Sequence, residues 1–314
     1  MNACPICRNL DAATVLTGSD RLYGTTALEF RVVECAGCGL LRLDPQPSPE
    51  ELGKYYPPDY WFAPDSSAAS RMEEIYRRLV LSDHVRFAAR AIRDSGARGP
   101  MLDAGCGGGL FLGMMRERGF RALGLDYSRD AAAIAWRRQH SPAVCAALDR
   151  APFRRASLGA ITMFHVLEHL YDPQAYLAAA RELLEPDGRL IVQVPNASSW
   201  QFRLLGGAWN GIDVPRHLYD YRARDVEKLL TICGFRVLRR KFFSLRDNPA
   251  GLASSLAPRL DPMARRVRRI AESGGVRLAK DLGYLALTVA AVPFTLAEAA
   301  ARSGSTVMIE ARPQ

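Results

Sequence analysis

The sequence predicts an α/β fold: a doubly wound, mostly parallel sheet of seven strands, with a small metal-held module in front and a helical insert before the last strand. Three observations predict it. From residue 101 onward, strand-like apolar runs alternate with helical stretches, the pattern of a parallel sheet with crossover helices. A glycine-rich turn joins the first of those strands to its helix. Two C-x-x-C pairs stand at the amino terminus. The chain has 314 residues, 48% hydrophobic and 24% charged, which supplies a core and excludes a disordered chain.

Charge narrows the partners. Lys+Arg 42 against Asp+Glu 33 gives +9. Only four of the basic residues are lysines (54, 228, 241 and 280), so the bias is toward Arg. Between Arg236 and Lys280 stand 12 basic and 3 acidic residues, so this one late segment carries the whole excess. A nucleic-acid enzyme spreads positive charge around its cleft, so the distribution argues against nucleic acid. Residues 1–12 have neither a basic n-region nor an apolar run. The longest uncharged apolar run, Leu282–Ala297, is shorter than the roughly 20 residues that span a bilayer. The expectation is a soluble, cytoplasmic protein.

Cys4 and Cys7 (CPIC) pair in sequence, as do Cys35 and Cys38 (CAGC). Two thiolates three residues apart bite one ion through a tight knuckle, and two knuckles complete the S4 shell that suits Zn²⁺. FRVVEC between them alternates like a strand, so the module reads as a zinc ribbon with a closed, structural ion. A redox C-x-x-C is the alternative, disfavoured because two pairs are present and neither opens a helix in a βαβ unit. Cys106, Cys145 and Cys233 read as small buried residues.

DPQPSP (44–49) is a linker, and Glu50–Tyr56 a short helix. YYPPDYWF (55–62) is an aromatic cluster, and Arg71–Asp94 an amphipathic helix. In MLDAGCGGGLFLGMM (101–115) a strand ends at Asp103, followed by Gly105, Gly107 and Gly109 and then an apolar helix. Glycines remove Cβ atoms, letting the backbone approach a ligand at a helix amino terminus. The third glycine stands one residue early for the dinucleotide fingerprint. RALGLDYS (121–128) is the second strand; Asp126 at its tip is placed to accept from ribose hydroxyls. Helix 130–140, a third strand at 143–148, a fourth at 160–164, helix 172–185 and a fifth strand at 188–196 follow. Helix 222–234, a sixth strand at 235–243 and a seventh at 303–313 complete the series.

LDAGCGGG, GLDYS, FHVLEHLYDP and LLEPDGRLIVQVPN together resemble the class I S-adenosylmethionine-dependent methyltransferases, with their Rossmann-like sheet. The resemblance implies that Gly105, Gly107 and Gly109 cradle S-adenosylmethionine, Asp103 contacts its methionine amine and Asp126 its ribose. Cys106, Tyr127, Leu148 and His165 complete the implied contacts, with Leu148 and backbone N–H groups at the adenine because Ala147 stands where the family often has an acid. The acid usual just before strand four is here Gly159. CPIC…CAGCGL with the PQP linker, and NGIDVPRHLYDY (210–221), are similar to zinc-bearing methyltransferases acting on sugars and secondary metabolites.

His165, after strand four, and His217, in the insert 196–221 read as a lid, are the candidate general bases. His165, Glu168 and His169 would share one helical face. This HVLEH resembles an E-x-x-E-H sequence of quinone-biosynthesis O-methyltransferases that is implicated in divalent-metal binding; the competing reading makes Glu168 and His169 loop anchors.

The insert 244–302 carries Arg265, Arg266, Arg268 and Arg269 and then the apolar run. It reads as a helical subdomain with a solvated Arg face and a buried apolar helix. Its alternative is peripheral membrane contact through 265–297. The expected division is 1–48, zinc ribbon-like module; 49–98, helical linker; 99–243, cofactor-binding domain with the lid at 196–221; 244–302, insert; 303–314, final strand. The expected function is O- or C-methyl transfer from S-adenosylmethionine to a small-molecule acceptor: a sugar, a polyketide-like or a lipid-linked compound. An RNA base methyltransferase and a non-catalytic scaffold are the competing classes; no base-clamping N/D-P-P-Y motif follows strand four.

Overall fold

The computed structural model describes residues 3–56 and 68–314; positions 57–62 of the expected aromatic cluster lie outside the described residues. The chain divides into two compact units, each assembled from separate stretches of sequence.

Within the described residues, one unit comprises 68–194, 227–246 and 308–314. Its strands are β4 (Met101–Ala104), β5 (Ala122–Asp126), β6 (Ala143–Cys145), β7 (Leu158–Phe164), β8 (Leu184–Pro195), β10 (Phe235–Lys241) and β11 (Thr306–Pro313). They form a seven-stranded sheet in the order β10-β11-β8-β7-β4-β5-β6. The pairs β4–β5, β4–β7, β5–β6 and β7–β8 are parallel, while β10–β11 is antiparallel. The expected mostly parallel, seven-stranded α/β sheet is what the chain forms. Strands of a parallel sheet are covered on both faces, so they read as continuous apolar runs. Every residue of β4 is accordingly buried, whereas β10 alternates between buried or half-buried and exposed positions.

The covering helices are α2 (Ala68–Arg93), α3 (Leu110–Arg116), α4 (Arg129–Gln139) and α5 (Pro173–Leu183). Ser128 caps α4 by accepting from the Ala131 N–H, and Asp172 caps α5 by accepting from the Ala175 N–H. Val85 and Ala88 of α2 meet Leu112 and Met115 of α3 and Ile191 of β8 in one core cluster. Two local expectations are corrected. The third strand stops at Cys145, and Leu148–Arg150 turns into a short 3-10 helix. Cys145 is exposed, because β6 is the edge strand.

The other unit takes in 3–56, 195–226 and 247–307. Strands β1 (Ala12–Ser19), β2 (Glu29–Cys35), β3 (Leu41–Asp44) and β9 (Tyr219–Asp220) make a sheet in the order β1-β2-β3-β9, antiparallel throughout. Helix α1 (Pro49–Leu52) opens with a capping box between Ser48 and Glu51. The segment 196–221 thus supplies α6 (Trp200–Leu205) and then β9 to this sheet. Arg216 anchors it. Its fully buried guanidinium pairs with Asp20 at 2.7 Å and Asp213 at 2.6 Å, over the Tyr23 ring at 4.6 Å.

The insert is helical, as α8 (Asn248–Leu256), α9 (Pro262–Val267) and α10 (Gly274–Ala300); Arg268 and Arg269 are exposed as expected, but Arg265 and the apolar helix depart from the expectation. Arg265 is buried and bonded to Glu272 and Asp281, and Arg268 donates to the carbonyls of Arg21 and Leu22. The apolar helix is the exposed partner: of its most apolar stretch only 22% is buried. An Arg cluster meets carboxylates and carbonyls within its own unit, an outcome invisible in a charge count. One helix among the described residues, α10, is long and apolar enough to cross a membrane, by length and composition. The uncharged run understated it, because the helix continues past Asp281 and Glu298 and contains Pro293.

Candidate cofactor site and cysteine cluster

Because β4, β5 and β7 are parallel, the loops that follow them emerge at one edge of the sheet, where open α/β folds bind ligands. The loop after β4 is built from left-handed backbone: Gly105, Gly107 and Gly109 have φ of 78°, 51° and 78°. Space is as restrictive as conformation. A Cβ on Gly105 would lie 2.6 Å from Val166 Cγ2, and one on Gly109 2.7 Å from the Ala135 Cβ. No side chain caps α3, which begins directly behind the loop.

Two carboxylates frame this loop. Asp126 ends β5 and is buried; its Oδ2 accepts the Gly107 N–H at 2.8 Å and its Oδ1 the Ser128 N–H at 2.8 Å. Each oxygen keeps a second lone pair, so the clamp that fixes the loop leaves acceptor capacity for a ligand. Burial raises its pKa, against those two backbone donors. Asp103 sits on β4 opposite Thr162 of β7, whose hydroxyl donates to Asp103 Oδ1 at 2.6 Å. Burial pushes the Asp103 carboxyl up to about 7; Thr162 and Arg246 oppose the rise and the Asp126 charge adds to it. A buried acid beside a second carboxylate is a site that a cation relieves. Burial, then the charges of Asp103 and Asp126, hold the Cys106 thiol far above its ordinary range, so it is a packing residue and no nucleophile. Leu148 is buried, whereas the Tyr127 ring is 87% exposed.

His165 follows β7 in the left-handed region, with φ 57°, a costly conformation for a non-glycine residue. Its ring is held on both sides, with Nδ1 3.2 Å from Glu168 Oε1 and Nε2 2.9 Å from Gln193 Nε2. Only Leu167–His169 is helical there, as a single 3-10 turn, so the expected continuous helical face of 165, 168 and 169 is absent. The Phe164 ring lies edge-on to both Phe111 and His84, at 5.0 and 5.1 Å. His217 belongs to the other unit. Its Nδ1 is 3.0 Å from the Gly211 carbonyl and 3.4 Å from the Asp213 N–H, so the backbone of its own loop holds the ring. Thr162, Gln193, Val166 and Arg246 were given no site role in the sequence.

The four amino-terminal cysteines come together as expected. All four Sγ atoms lie within 4.8 Å of one another, with Cys4–Cys38 at 3.4 Å and Cys7–Cys35 at 3.5 Å. A tetrahedral ion with bonds of about 2.3 Å sets its sulfurs about 3.8 Å apart, so the donor set fits one four-coordinate zinc. Burial raises the Cys4 and Cys38 thiols, whereas at Cys35 the N–H groups of Cys38 and Gly37 and the adjacent thiols outweigh burial and lower it. Backbone donors aimed at sulfur favour the thiolate that zinc requires.

A family model described as a methyltransferase domain matches residues 72–240, more than half of the chain. A probable S-adenosylmethionine-dependent methyltransferase of Mycolicibacterium smegmatis is 30% identical over 185 residues, which are 57% of this chain and 60% of that protein. A ubiquinone biosynthesis O-methyltransferase of Cereibacter sphaeroides is 30% identical over 155 residues, 43% of this chain and 60% of that one. The chain thus spans 60% of the length of these two relatives. Among solved structures, the geranyl diphosphate C-methyltransferase of Streptomyces coelicolor A3(2) aligns with TM-score 0.52 and 16% identity, covering 86% of this chain and 100% of that one. The [4+2]-cyclase SpnF aligns with TM-score 0.50 and 18% identity, covering 85% and 97%. These two likenesses show the fold alone. With the family model spanning β4 through most of β10 and the glycine loop and both carboxylates inside the match, the chain belongs to the class I S-adenosylmethionine-dependent methyltransferase family.

Proposed function

We propose that the protein transfers a methyl group from S-adenosylmethionine to a small-molecule acceptor. The observation that carries the reading is the left-handed glycine loop at Gly105–Gly109 between two buried carboxylates, Asp103 and Asp126. When bound, S-adenosylmethionine supplies a methyl group already activated on a sulfonium. The chain's part is binding, alignment and exclusion of water. Asp103 gives up its proton and pairs with the donor's ammonium group, and Asp126 accepts from the ribose hydroxyls with its remaining lone pairs. Gly105, Gly107 and Gly109 let the backbone approach, while Cys106, Tyr127 and Leu148 line the nucleoside. The small-molecule acceptor is supported by the quinone-pathway relative and by charge confined to one late segment.

His165 and His217 divide the remaining work. Contacts on both ring nitrogens make His165 a positioning residue. His217 is the proton acceptor for an O- or C-nucleophile. The Cys4, Cys7, Cys35 and Cys38 site holds zinc structurally.

Calorimetry with S-adenosylhomocysteine and a methyl-transfer assay on small-molecule extract and on RNA test the reading. Asp103→Asn should weaken binding about tenfold to a hundredfold, the cost of one charge-assisted contact. His217→Ala should lower turnover about 10²-fold with binding intact. Wild-type protein that gives no binding heat, or methylates RNA alone, overturns the proposal.

A further inference from the structure

Helix α10 presents to solvent a face that a monomer has no use for. Leu278, Leu282, Leu285, Val289 and Leu296 are each 46–61% exposed, and Val292, half-buried, completes their row. The intervals between these six residues are 4, 3, 4, 3 and 4. That is the a/d repeat of a helix packed along its length against another helix. The neighbouring face, offset by about 120°, is already used: Thr288, Ala291, Thr295 and Glu298 are buried, and Tyr284 bonds to Ser254 and the Ala250 carbonyl of α8. The residues beside the seam are small, Ala279, Ala286, Ala290 and Ala297, so a partner helix can approach closely. A contiguous apolar face of this length marks an interaction site on a soluble protein.

We propose that the face is covered by α10 of a second copy of this chain, the two helices running antiparallel about a two-fold axis midway between Leu285 and Val289. That axis sets Leu285 against the partner's Val289, Leu282 against the partner's Val292 and Leu278 against the partner's Leu296. The seam is therefore self-complementary, as an isologous interface requires. Antiparallel packing also sets each helix amino terminus beside the partner's carboxyl terminus, which the helix dipoles favour. Covering six half-exposed Leu and Val side chains and the alanines between them on each copy removes on the order of 1,000 Å² in total, the threshold of a specific interface.

A membrane surface fits the same face less well. No charged residue occurs from Leu282 to Ala297, and an interfacial helix needs Lys or Arg along its borders. Of the cations at the start of the insert's apolar helix, Arg265 is engaged with Glu272 and Asp281 and Lys280 with Glu272 at 2.5 Å, which leaves Arg277 as the exposed one at that end.

The test is the mass of the full chain in solution by light scattering or sedimentation at micromolar concentrations. Wild-type protein should be a dimer. Leu285→Glu and Val289→Arg should each be monomeric with unchanged circular dichroism and melting. An equimolar mixture of the two should regain the dimer mass, since antiparallel pairing faces the introduced carboxylate with the introduced guanidinium. Leu285→Ser, which adds no charge, should raise the dimer Kd about tenfold or more. A monomeric wild type overturns the proposal, as does a dimer indifferent to all these substitutions or a mixture that stays monomeric. So does a wild-type monomer that co-sediments with phosphatidylcholine–phosphatidylglycerol vesicles, which would hand the face to the membrane.

Discussion

Gly105 concentrates the cost of building the site into one residue. Its φ of 78° lies in the region that side chains avoid, and a Cβ there would stand 2.6 Å from Val166 Cγ2. Gly119 has φ 84° but nothing within 4 Å of a Cβ. Gly105→Ala should therefore cost more than Gly119→Ala, whose penalty is about 1 kcal/mol from backbone conformation alone. The first variant should also lose donor binding, measured by calorimetry, while the second keeps it. Equal melting temperatures and equal affinities for the two variants would show that the loop relaxes freely around a methyl group. The glycines and both carboxylates were legible in the sequence because their chemistry depends on residue type and spacing along a single strand–turn–helix. Thr162, on Asp103, and Gln193, on His165, were not: each reaches the site across the sheet, through the β4–β7 and β7–β8 pairings, and no local pattern announces a partner on another strand.

At the scale of elements, the cysteine knuckles hold the outer strand of a sheet whose packing is concentrated in β2 and β3. Strand β1 alternates between exposed and half-buried positions and contributes no fully buried residue. The zinc that the four sulfurs fit therefore ties the Cys4–Cys7 turn before β1 to the end of β2, and metal binding becomes folding free energy. Metal analysis should find one zinc per chain. Cys35→Ser, or chelation, should release it and strip hydrogen-exchange protection from β1 and β2, while β4 and β5 stay protected. Retained protection in the metal-free protein would assign the stability to β2–β3 packing instead. Strand and helix existence was readable from apolar periodicity, though the caps of α4 and α5, Ser128 and Asp172, emerged only in the structure. The burial of α10 was not, since a run of Leu, Ala and Val is equally apolar whether it faces a core or a partner. The partners of Arg265, Glu272 and Asp281, lie 7 and 16 residues away, so only the fold shows that its charge is spent inside the insert.

For the whole molecule, the buried carboxylates divide into two groups that respond to pH with opposite signs. Burial pushes the folded Asp103 carboxyl up to about 7, above its ordinary value of 3.8. The folded state thus binds more protons than the unfolded one between those values. Stability from this group is fully present below about pH 4 and is lost as pH rises toward about 7. Asp126, Asp225 and Glu298, raised mainly by burial, act with the same sign. Asp20 and Asp83 act with the other. Burial works to raise both, but Arg216 and Thr25 at Asp20, and His84 and Lys241 at Asp83, bring them below the usual carboxylate range. Their contribution is present above about pH 4 and fails as acid protonates them. The ligand-free protein should therefore be most stable in mild acid and lose melting temperature toward neutrality. Asp103→Asn keeps the acceptor for the Thr162 hydroxyl and removes the titration. It should flatten the fall between about pH 5 and about pH 7.5 and raise hydrogen-exchange protection of β4 near pH 8. A cation held at Asp103 should flatten the same slope in the unaltered chain, because it supplies the charge partner that burial denies. A slope that survives in the Asn variant would move the liability to Asp126, Asp225 or Glu298.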